Sequence, residues 1–311
     1  MVWAAPPGAA GRLAGTRPPR PGGGPYPRGM VFARLRDLVA GGGVAVLTGA
    51  GMSTDSGIPD YRGPNGSLRQ HTPMTYQQFN RDQAARRRYW ARSHLGWRHV
   101  AGARPNTGHR ALAELEAAGL LDGVITQNVD GLHRAAGSLR VIDLHGELAR
   151  VRCRACGALS ARAELDRRLR AANPGFAAGV AAASPLGAEV NPDGDVTLPD
   201  EAIDGFVVVG CTGCGGDLEP DVVFFGATVP PARLASAVAL VENARGLLVL
   251  GSSLAVMSGY RFVLRAGELG IPVGIVNQGP TRGDARAEFT VDSPLGAVLP
   301  RLAAELLGAA A

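Results

Sequence analysis

The apolar positions of the chain gather into short continuous runs that each finish in small or polar residues. Val44-Ala45-Val46-Leu47-Thr48 ends in Gly49-Ala50-Gly51, followed by Ser53, Thr54 and Ser56. Gly123-Val124-Ile125-Thr126 leads into Gln127-Asn128-Val129-Asp130, Leu247-Leu248-Val249-Leu250 into Gly251-Ser252-Ser253, and Val273-Gly274-Ile275-Val276 into Asn277-Gln278-Gly279. Uninterrupted β-rich runs of this kind are buried on both faces of a parallel sheet, and ligands bind beyond the carboxyl ends of such strands. The pattern predicts four strands whose ends converge on one crevice. Between them, 107–119 and 231–245 have the spacing of amphipathic crossover helices. The first run ends as a dinucleotide site does, in a strand, a tight turn and a helix start where small residues admit a pyrophosphate. Thr54 stands where the usual third glycine would be, and no acidic residue closes a second strand about 20 residues on, which disfavours the dehydrogenase version.

Two segments break the pattern. Residues 64–104 hold Arg69, Arg81, Arg86, Arg87, Arg88, Arg92, Arg98 and Arg104 against the single acid Asp82, with Tyr76, Phe79, Tyr89, Trp90 and Trp97 interleaved. This reads as a helical lid with an apolar underside, or else as a solvated basic face over ordinary core. Residues 172–205, rich in Ala, Gly and Pro, read as an irregular insertion. They lie between two Cys-x-x-Cys pairs, Cys153/Cys156 and Cys211/Cys214, which are the only cysteines of the chain. Four thiolates in two knuckles suit tetrahedral zinc, and with no open ligand position the site reads as structural. Gly157 and Gly215 follow the pairs where a tight knuckle needs positive φ. A redox dithiol or two disulfides are the competing readings.

Composition narrows the chemistry. The 311 residues include 32 basic side chains, and all are arginine. Without lysine there is no Schiff-base catalysis and no lysine-dependent phosphate loop. The formal charge of +5 includes Arg12, Arg17, Arg20 and Arg28 in residues 1–29, leaving a nearly neutral body that argues against a dedicated nucleic-acid domain. Those 29 residues, rich in Pro and Gly, are expected to be a disordered tail or an over-long start ahead of Met30. No apolar run approaches the roughly 18 residues needed to cross a bilayer, and no secretory signal is visible, so a cytoplasmic protein is expected.

The run from Gly49 to Gly63 (Gly-Ala-Gly-Met-Ser-Thr-Asp-Ser-Gly-Ile-Pro-Asp-Tyr-Arg-Gly) resembles the signature of the sirtuins, NAD-dependent protein deacylases. The resemblance continues through Thr126 to His133, Leu144-His145-Gly146, both cysteine pairs, Pro220 to Gly226, Gly251 to Leu254 and Val276-Asn277, covering about 30–300. Tyr89-Trp90-Ala91-Arg92, Gly96-Trp97 and the run Asn277 to Arg282 are similar to class II members. The resemblance implies an α/β protein. A doubly wound parallel Rossmann-like sheet would be formed by 30–63, 105–150 and 220–311, with a smaller module of a helical lid (64–104) and a zinc-binding part (151–219). It implies an enzyme that cleaves the nicotinamide–ribose bond of NAD and passes an acyl group from lysine to ADP-ribose. One structural zinc is implied, with Cys153, Cys156, Cys211 and Cys214 as ligands.

The residues themselves agree with those roles. His145 matches the family's catalytic base; imidazole suits proton abstraction near neutrality, and Gly146 leaves room for a ribose. His71, His94, His99, His109 and His133 read as structural or exposed. Gln127 and Asn128 are implied in catalysis. Gly49, Ala50, Gly51, Ser53, Asp60, Tyr61, Arg62, Arg69, Val129, Asp130, Gly251, Ser252, Ser253, Asn277, Gln278, Gly279 and Leu295 join them in holding NAD. The plainer alternatives are an Asx turn at Asn128–Asp130, an Asp60–Arg62 pair that only staples its loop, and a helix N-cap at Ser252 and Ser253. Val223, Phe224, Phe225 and Gly226 resemble the loop that pairs with the substrate peptide by strand addition. The acid usual after its Phe-Gly is replaced by Ala227. Tyr89 and Arg92 have the Tyr-x-x-Arg spacing that binds acidic acyl groups in another class, so acetyl is the default substrate and acidic or bulkier acyl groups the alternative. The partners expected are acyl-lysine proteins, with no membrane, no specific nucleic acid and a monomeric or weakly oligomeric state. Competing readings are a mono-ADP-ribosyltransferase, a non-catalytic NAD or ADP-ribose sensor, and a zinc-ribbon nucleic-acid binder.

Overall fold

Val44 and Val46 lie in one apolar cluster and Ala45 and Leu47 in another, the alternation of a strand covered on both faces. The structure, a computed structural model, describes residues 28–62, 72–183 and 191–308. Most of the expected tail, Arg69 and His71 fall outside these residues.

In chain order the elements are α1 (Arg28–Ala40), β1 (Val44–Thr48), α2 (Tyr76–Arg81), α3 (Gln83–Gly102), α4 (Thr107–Ala117), β2 (Leu121–Thr126), α5 (Leu132–Ala135), β3 (Val141–Asp143), β4 (Gly146–Cys153), β5 (Leu159–Ala161), α6 (Arg162–Ala172), α7 (Phe176–Ala183), β6 (Leu218–Val222), α8 (Pro231–Asn243), β7 (Gly246–Leu250), α9 (Met257–Glu268), β8 (Val273–Val276), β9 (Phe289–Val291) and α10 (Leu295–Leu307). Helix α1 thus starts two residues ahead of the ordered chain expected from Met30.

A six-stranded parallel sheet runs in the order β3-β2-β1-β7-β8-β9. The four strands legible in the sequence are its centre, and the chain reverses its winding between β1 and β7. That gap between β1 and β7 is the switch point where a crevice opens in a doubly wound sheet. Helices α1, α4 and α10 cover one face through Leu35, Leu112, Leu115 and Leu299. Helices α8 and α9 cover the other through Val241, Phe262 and Val263. Both crossover helices form as expected. Asn106 caps α4, its side chain accepting from His109 N while His109 Nδ1 accepts from Asn106 N.

Two local expectations are corrected. The helix start after Gly51 is a pair of 3-10 turns, Ala50–Met52 and Thr54–Ser56. Gly57 at φ +82 turns the chain out, and Pro59 follows. Ser252 and Ser253 cap no helix, because α9 begins only at Met257 with Val256 as its N-cap residue.

A three-stranded antiparallel sheet, β5-β4-β6, carries the cysteines. The apolar side of α3 packs on it: Tyr89 and Trp90 share a cluster with Val151, Cys153, Leu165 and Leu218. Arg162, 1% exposed, is held between the rings of Trp90 and Trp97 at 5.3 and 5.4 Å. The part of 172–205 expected to be irregular contains α7.

Candidate active site

Gly49 and Gly51 bring the end of β1 against the end of β7. A Cβ on Gly49 would lie 2.7 Å from both the Gly251 carbonyl and Ser252 Cβ, and one on Gly51 would lie 3.0 Å from Gly251 Cα. Only glycine fits such an approach, and it leaves main-chain N–H groups and carbonyls at the rim of a cavity of about 1490 Å³. That cavity is large enough for a dinucleotide together with a peptide side chain. It is lined by Gly49, Ala50, Gly51, Ser53, Asp60, Tyr61 and Arg62 from the first turn, and by Gln127, Asn128, Val129 and Asp130 beyond β2. Gly251, Ser252 and Ser253 beyond β7 and Asn277, Gln278 and Gly279 beyond β8 complete the side where the strands end. Leu295, expected to meet the adenine side through its main chain, has its side chain buried against Gly251, where an added Cβ would meet Leu295 Cδ1 at 2.9 Å.

The polar residues beyond β2 are tied to the glycine turn. Asn128 Nδ2 donates to Gly49 O and Ser53 Oγ, each at 3.0 Å, and Ser53 Oγ donates to Asp130 Oδ2 at 2.7 Å. Asp130 Oδ1 also accepts from Leu132 N at 2.9 Å, so the Asx turn exists alongside the placement in the cavity. Burial pushes the Asp130 carboxyl up, opposed by those two donors. Ser252 Oγ donates to Gln127 Oε1 at 2.6 Å, and the Gln127 amide lies over Gly259, where a Cβ would be 2.6 Å from Nε2.

His145 lies between β3 and β4 at the cavity wall. Its Nδ1 is 2.8 Å from the Gln127 carbonyl, an acceptor only, so Nδ1 carries the proton and donates. Nε2 then presents a lone pair, which accepts from Ser258 Oγ at 2.9 Å. Burial pushes the imidazole pKa down, the Gln127 carbonyl opposes this, and the field of Arg233 adds to the lowering. A neutral imidazole at a cavity wall has the form that a general base needs. Gly146, at φ +86, has no room for a Cβ because the Asp221 carbonyl occupies that space. This contact brings β6 alongside, and Val223 N donates to His145 O at 2.7 Å.

Val223, Phe224, Phe225, Gly226 and Ala227 form one side of the cavity mouth. Phe225 pairs with Thr75, Tyr76 N donating to Phe225 O at 2.9 Å, and Tyr61 meets the Phe225 ring edge-on at 5.7 Å. Tyr89 lines the cavity, but Arg92 does not. The Arg92 guanidinium is turned to Val196 O (2.6 Å) and Asp195 (3.0 Å), while Asp193 and Asp195 reach the cavity wall. Burial raises both carboxyls, that of Asp195 to about 7 even with Arg92 beside it. Ser258, Asp193 and Asp195 carried no signal in the sequence. Ser258 follows an unremarkable apolar run, and the two aspartates sit in the segment read as irregular.

The four cysteine Sγ atoms lie within 4.8 Å of one another, with Cys153–Cys214 at 3.5 Å and Cys156–Cys211 at 3.9 Å. The edge of a tetrahedron around zinc at a Zn–S distance of about 2.3 Å is about 3.8 Å, so the donor set fits that ion. All four thiols are free, which removes the disulfide reading, and backbone donors lower the Cys153 thiol to about 6. Gly157 and Gly215 both take φ +72, as the knuckles require.

Among the described residues no helix is long and apolar enough to cross a membrane. The family model described as Sir2 family matches residues 49–258. The NAD-dependent protein deacetylase 1 of Streptomyces coelicolor is 58% identical over 275 residues, 88% of this chain and 90% of that protein. The protein of the same name from Mycobacterium avium is 53% identical over 269 residues, 86% of this chain and 93% of that one. Among solved structures, a Sir2 homologue in complex with NAD superposes at a TM-score of 0.68 with 30% identity, covering 90% of this chain and 95% of the other. A Sir2 variant with a deacetylated p53 peptide and 3′-O-acetyl-ADP-ribose superposes at 0.69 with 29% identity, covering 88% and 97%.

Proposed function

This chain belongs to the Sir2 family and is an NAD-dependent protein deacetylase, and on that premise we propose that His145 is its general base. The observation that supports this reading is the pair of bonds on the imidazole: Nδ1 is fixed on the Gln127 carbonyl, so Nε2 is the atom left to take a proton from the cavity side. NAD, when bound, supplies the ribose that parts from nicotinamide and receives the acyl group. The glycines at 49, 51 and 251 open the backbone to its phosphates, and Arg62 reaches the same wall with a charge suited to them. Asn128 holds the ribose, and Asp130 and Gln127 hold the carboxamide side. Ser252, Ser253, Asn277, Gln278 and Gly279 take the adenosine side. Val223–Gly226 receives the peptide as an added strand, with main-chain bonds giving affinity and side chains left permissive.

The acyl group is neutral and small in this reading. Two carboxyls, Asp193 and Asp195, face the cavity, and the Arg92 guanidinium that an acidic acyl group would need is held by Asp195. The alternatives of ADP-ribosyl transfer to protein and of an acidic acyl preference are not favoured. The reading extends to a cytoplasmic enzyme acting on acyl-lysine proteins without a nucleic-acid partner, supported by a cysteine set arranged for zinc rather than for disulfides and by the nearly neutral charge of the body. The test is the His145→Ala variant on an acetyl-lysine peptide with NAD. Retained NAD binding with turnover lost by about 100-fold or more supports the base assignment. Turnover within a few-fold of the wild type would refute it.

A further inference from the structure

Helix α9 starts with Met257-Ser258-Gly259, and two of these three residues touch the candidate machinery. Ser258 Oγ is 2.9 Å from His145 Nε2, and Gly259 leaves the space in which the Gln127 amide lies. Gln127 in turn offers its main-chain carbonyl to His145 Nδ1 at 2.8 Å. The imidazole is therefore gripped at both nitrogens, on one side by a group that only accepts and on the other by one able to donate. With Nδ1–H committed to the carbonyl, the hydroxyl hydrogen of Ser258 must point at Nε2.

We propose that Ser258 is a positioning residue for His145, its hydroxyl fixing the ring through Nε2 while the Gln127 carbonyl sets the Nδ1–H form. This rests on the assignment of His145 as the base. A hydroxyl suits the position better than a fixed donor or acceptor, because it serves both protonation states. It donates to the bare Nε2 lone pair in the ligand-free protein; when a ribose hydroxyl takes that place the Ser258 O–H rotates away, the ribose proton passes to Nε2, and the Ser258 oxygen then accepts from the new Nε2–H. Ser258 keeps its own proton throughout.

The charges around the ring do not replace this contact. Arg233 on α8 disfavours the imidazolium without touching the ring, and Arg261, three residues along α9 from Ser258, lines the same cavity. Asp143, two residues before His145, is turned to Arg134 at 2.9 Å. Among the hydrogen bonds of the described residues, Ser258 is the partner of Nε2.

The experiment compares wild type, Ser258→Thr, Ser258→Val and Ser258→Ala. Thr and Val have nearly the same shape and differ by the hydroxyl. In the ligand-free protein, ¹⁵N-labelled histidine NMR reads the tautomer and titration of His145 directly. Ser258 is the partner of Nε2, so in the Val and Ala variants the Nε2 resonance and the titration of His145 depart from the wild-type values while the Gln127 carbonyl keeps the Nδ1–H tautomer, and Thr keeps the wild-type behaviour. In turnover, Val and Ala lose about tenfold in kcat near neutrality, with KM for NAD little changed and Thr close to the wild type. Unchanged titration and kcat in Val and Ala would overturn the proposal, as would a Thr variant as impaired as Val. If His145→Ala itself remains active, the assignment of the base fails instead, and the NMR result still reports on the Ser258 contact.

Discussion

Val223 N donates to His145 O at 2.7 Å, which makes the candidate base and the first residue of the proposed substrate loop partners across one strand pair. The same pair ends in the metal knuckles: β4 runs from Gly146 to Cys153, Cys153 pairs with Leu218, and β6 runs from there to Val222. The cysteine cluster lies far from the chemistry, yet it clamps the far end of the two strands that hold His145 and Val223 in register.

This coupling predicts the effect of metal removal. Purified protein should carry one zinc per chain, and Cys153→Ser, which removes the buried ligand, should lose the metal. Without it the small module opens, the thermal transition drops by about 10 °C or more, and deacetylation falls with it. Elemental analysis beside a melting curve checks this; full activity in a zinc-free protein would show that the clamp does not position the site.

The glycine cradle predicts a loss of cofactor affinity. In Gly49→Ala the new methyl meets the Gly251 carbonyl and Ser252 Cβ at 2.7 Å, both part of a packed strand end with little freedom to yield. The strand ends must part, which costs about 1–3 kcal/mol, and the NAD dissociation constant should rise by about tenfold or more. Calorimetric titration with NAD reads it, and unchanged affinity would mean the dinucleotide does not lie across this approach.

The acidic wall predicts the acyl preference. An acidic acyl group would have to displace Asp195 from Arg92 and lie beside Asp193, so succinyl- or glutaryl-lysine peptides should show kcat/KM about tenfold or more below acetyl peptides. Asp195→Asn removes a carboxylate and releases Arg92, so the succinyl-to-acetyl ratio should rise. Arg92→Ala should not lower that ratio selectively; a selective loss on succinyl peptide would show that Arg92 does reach the acyl group.

A buried histidine pair predicts weakness in acid. His109 and His133 stack edge-on at 4.8 Å beneath the site, and Thr48 Oγ1 lies 3.0 Å from His133 Nε2. Burial holds His109 down to about 4 and His133 well below the usual range. The unfolded chain therefore binds protons first as the pH falls. The stability from keeping His109 neutral is complete above about pH 6.5 and is lost progressively towards pH 4, a difference of up to about 3 kcal/mol. Urea unfolding at pH 7.5 and 5 measures it. His109→Gln, which keeps the capping-box geometry, should show a shallower pH dependence.

Much of this was legible from residue order because the central strands are buried on both faces and so read as unbroken apolar runs. The edge strands β3 and β9, three residues each, are too short to give such a run. The knuckles were legible from spacing alone, since Cys-x-x-Cys carries its own geometry. Contacts that depend on tertiary approach were not. Nothing in Met257-Ser258-Gly259 announces that its hydroxyl meets His145 from 113 positions away. Nothing in Tyr89–Arg92 shows that Asp195 has already engaged the arginine.

The fate of the acetyl group tests the central claim most directly. Wild type and His145→Ala are each incubated with an acetyl-lysine peptide and NAD, and nicotinamide, deacetylated peptide and O-acetyl-ADP-ribose are quantified together by mass spectrometry. The account predicts the three products in equal amounts from the wild type and neither deacetylated peptide nor O-acetyl-ADP-ribose from the variant. Free acetate without O-acetyl-ADP-ribose, ADP-ribose left on the peptide, or undiminished product from His145→Ala would contradict it.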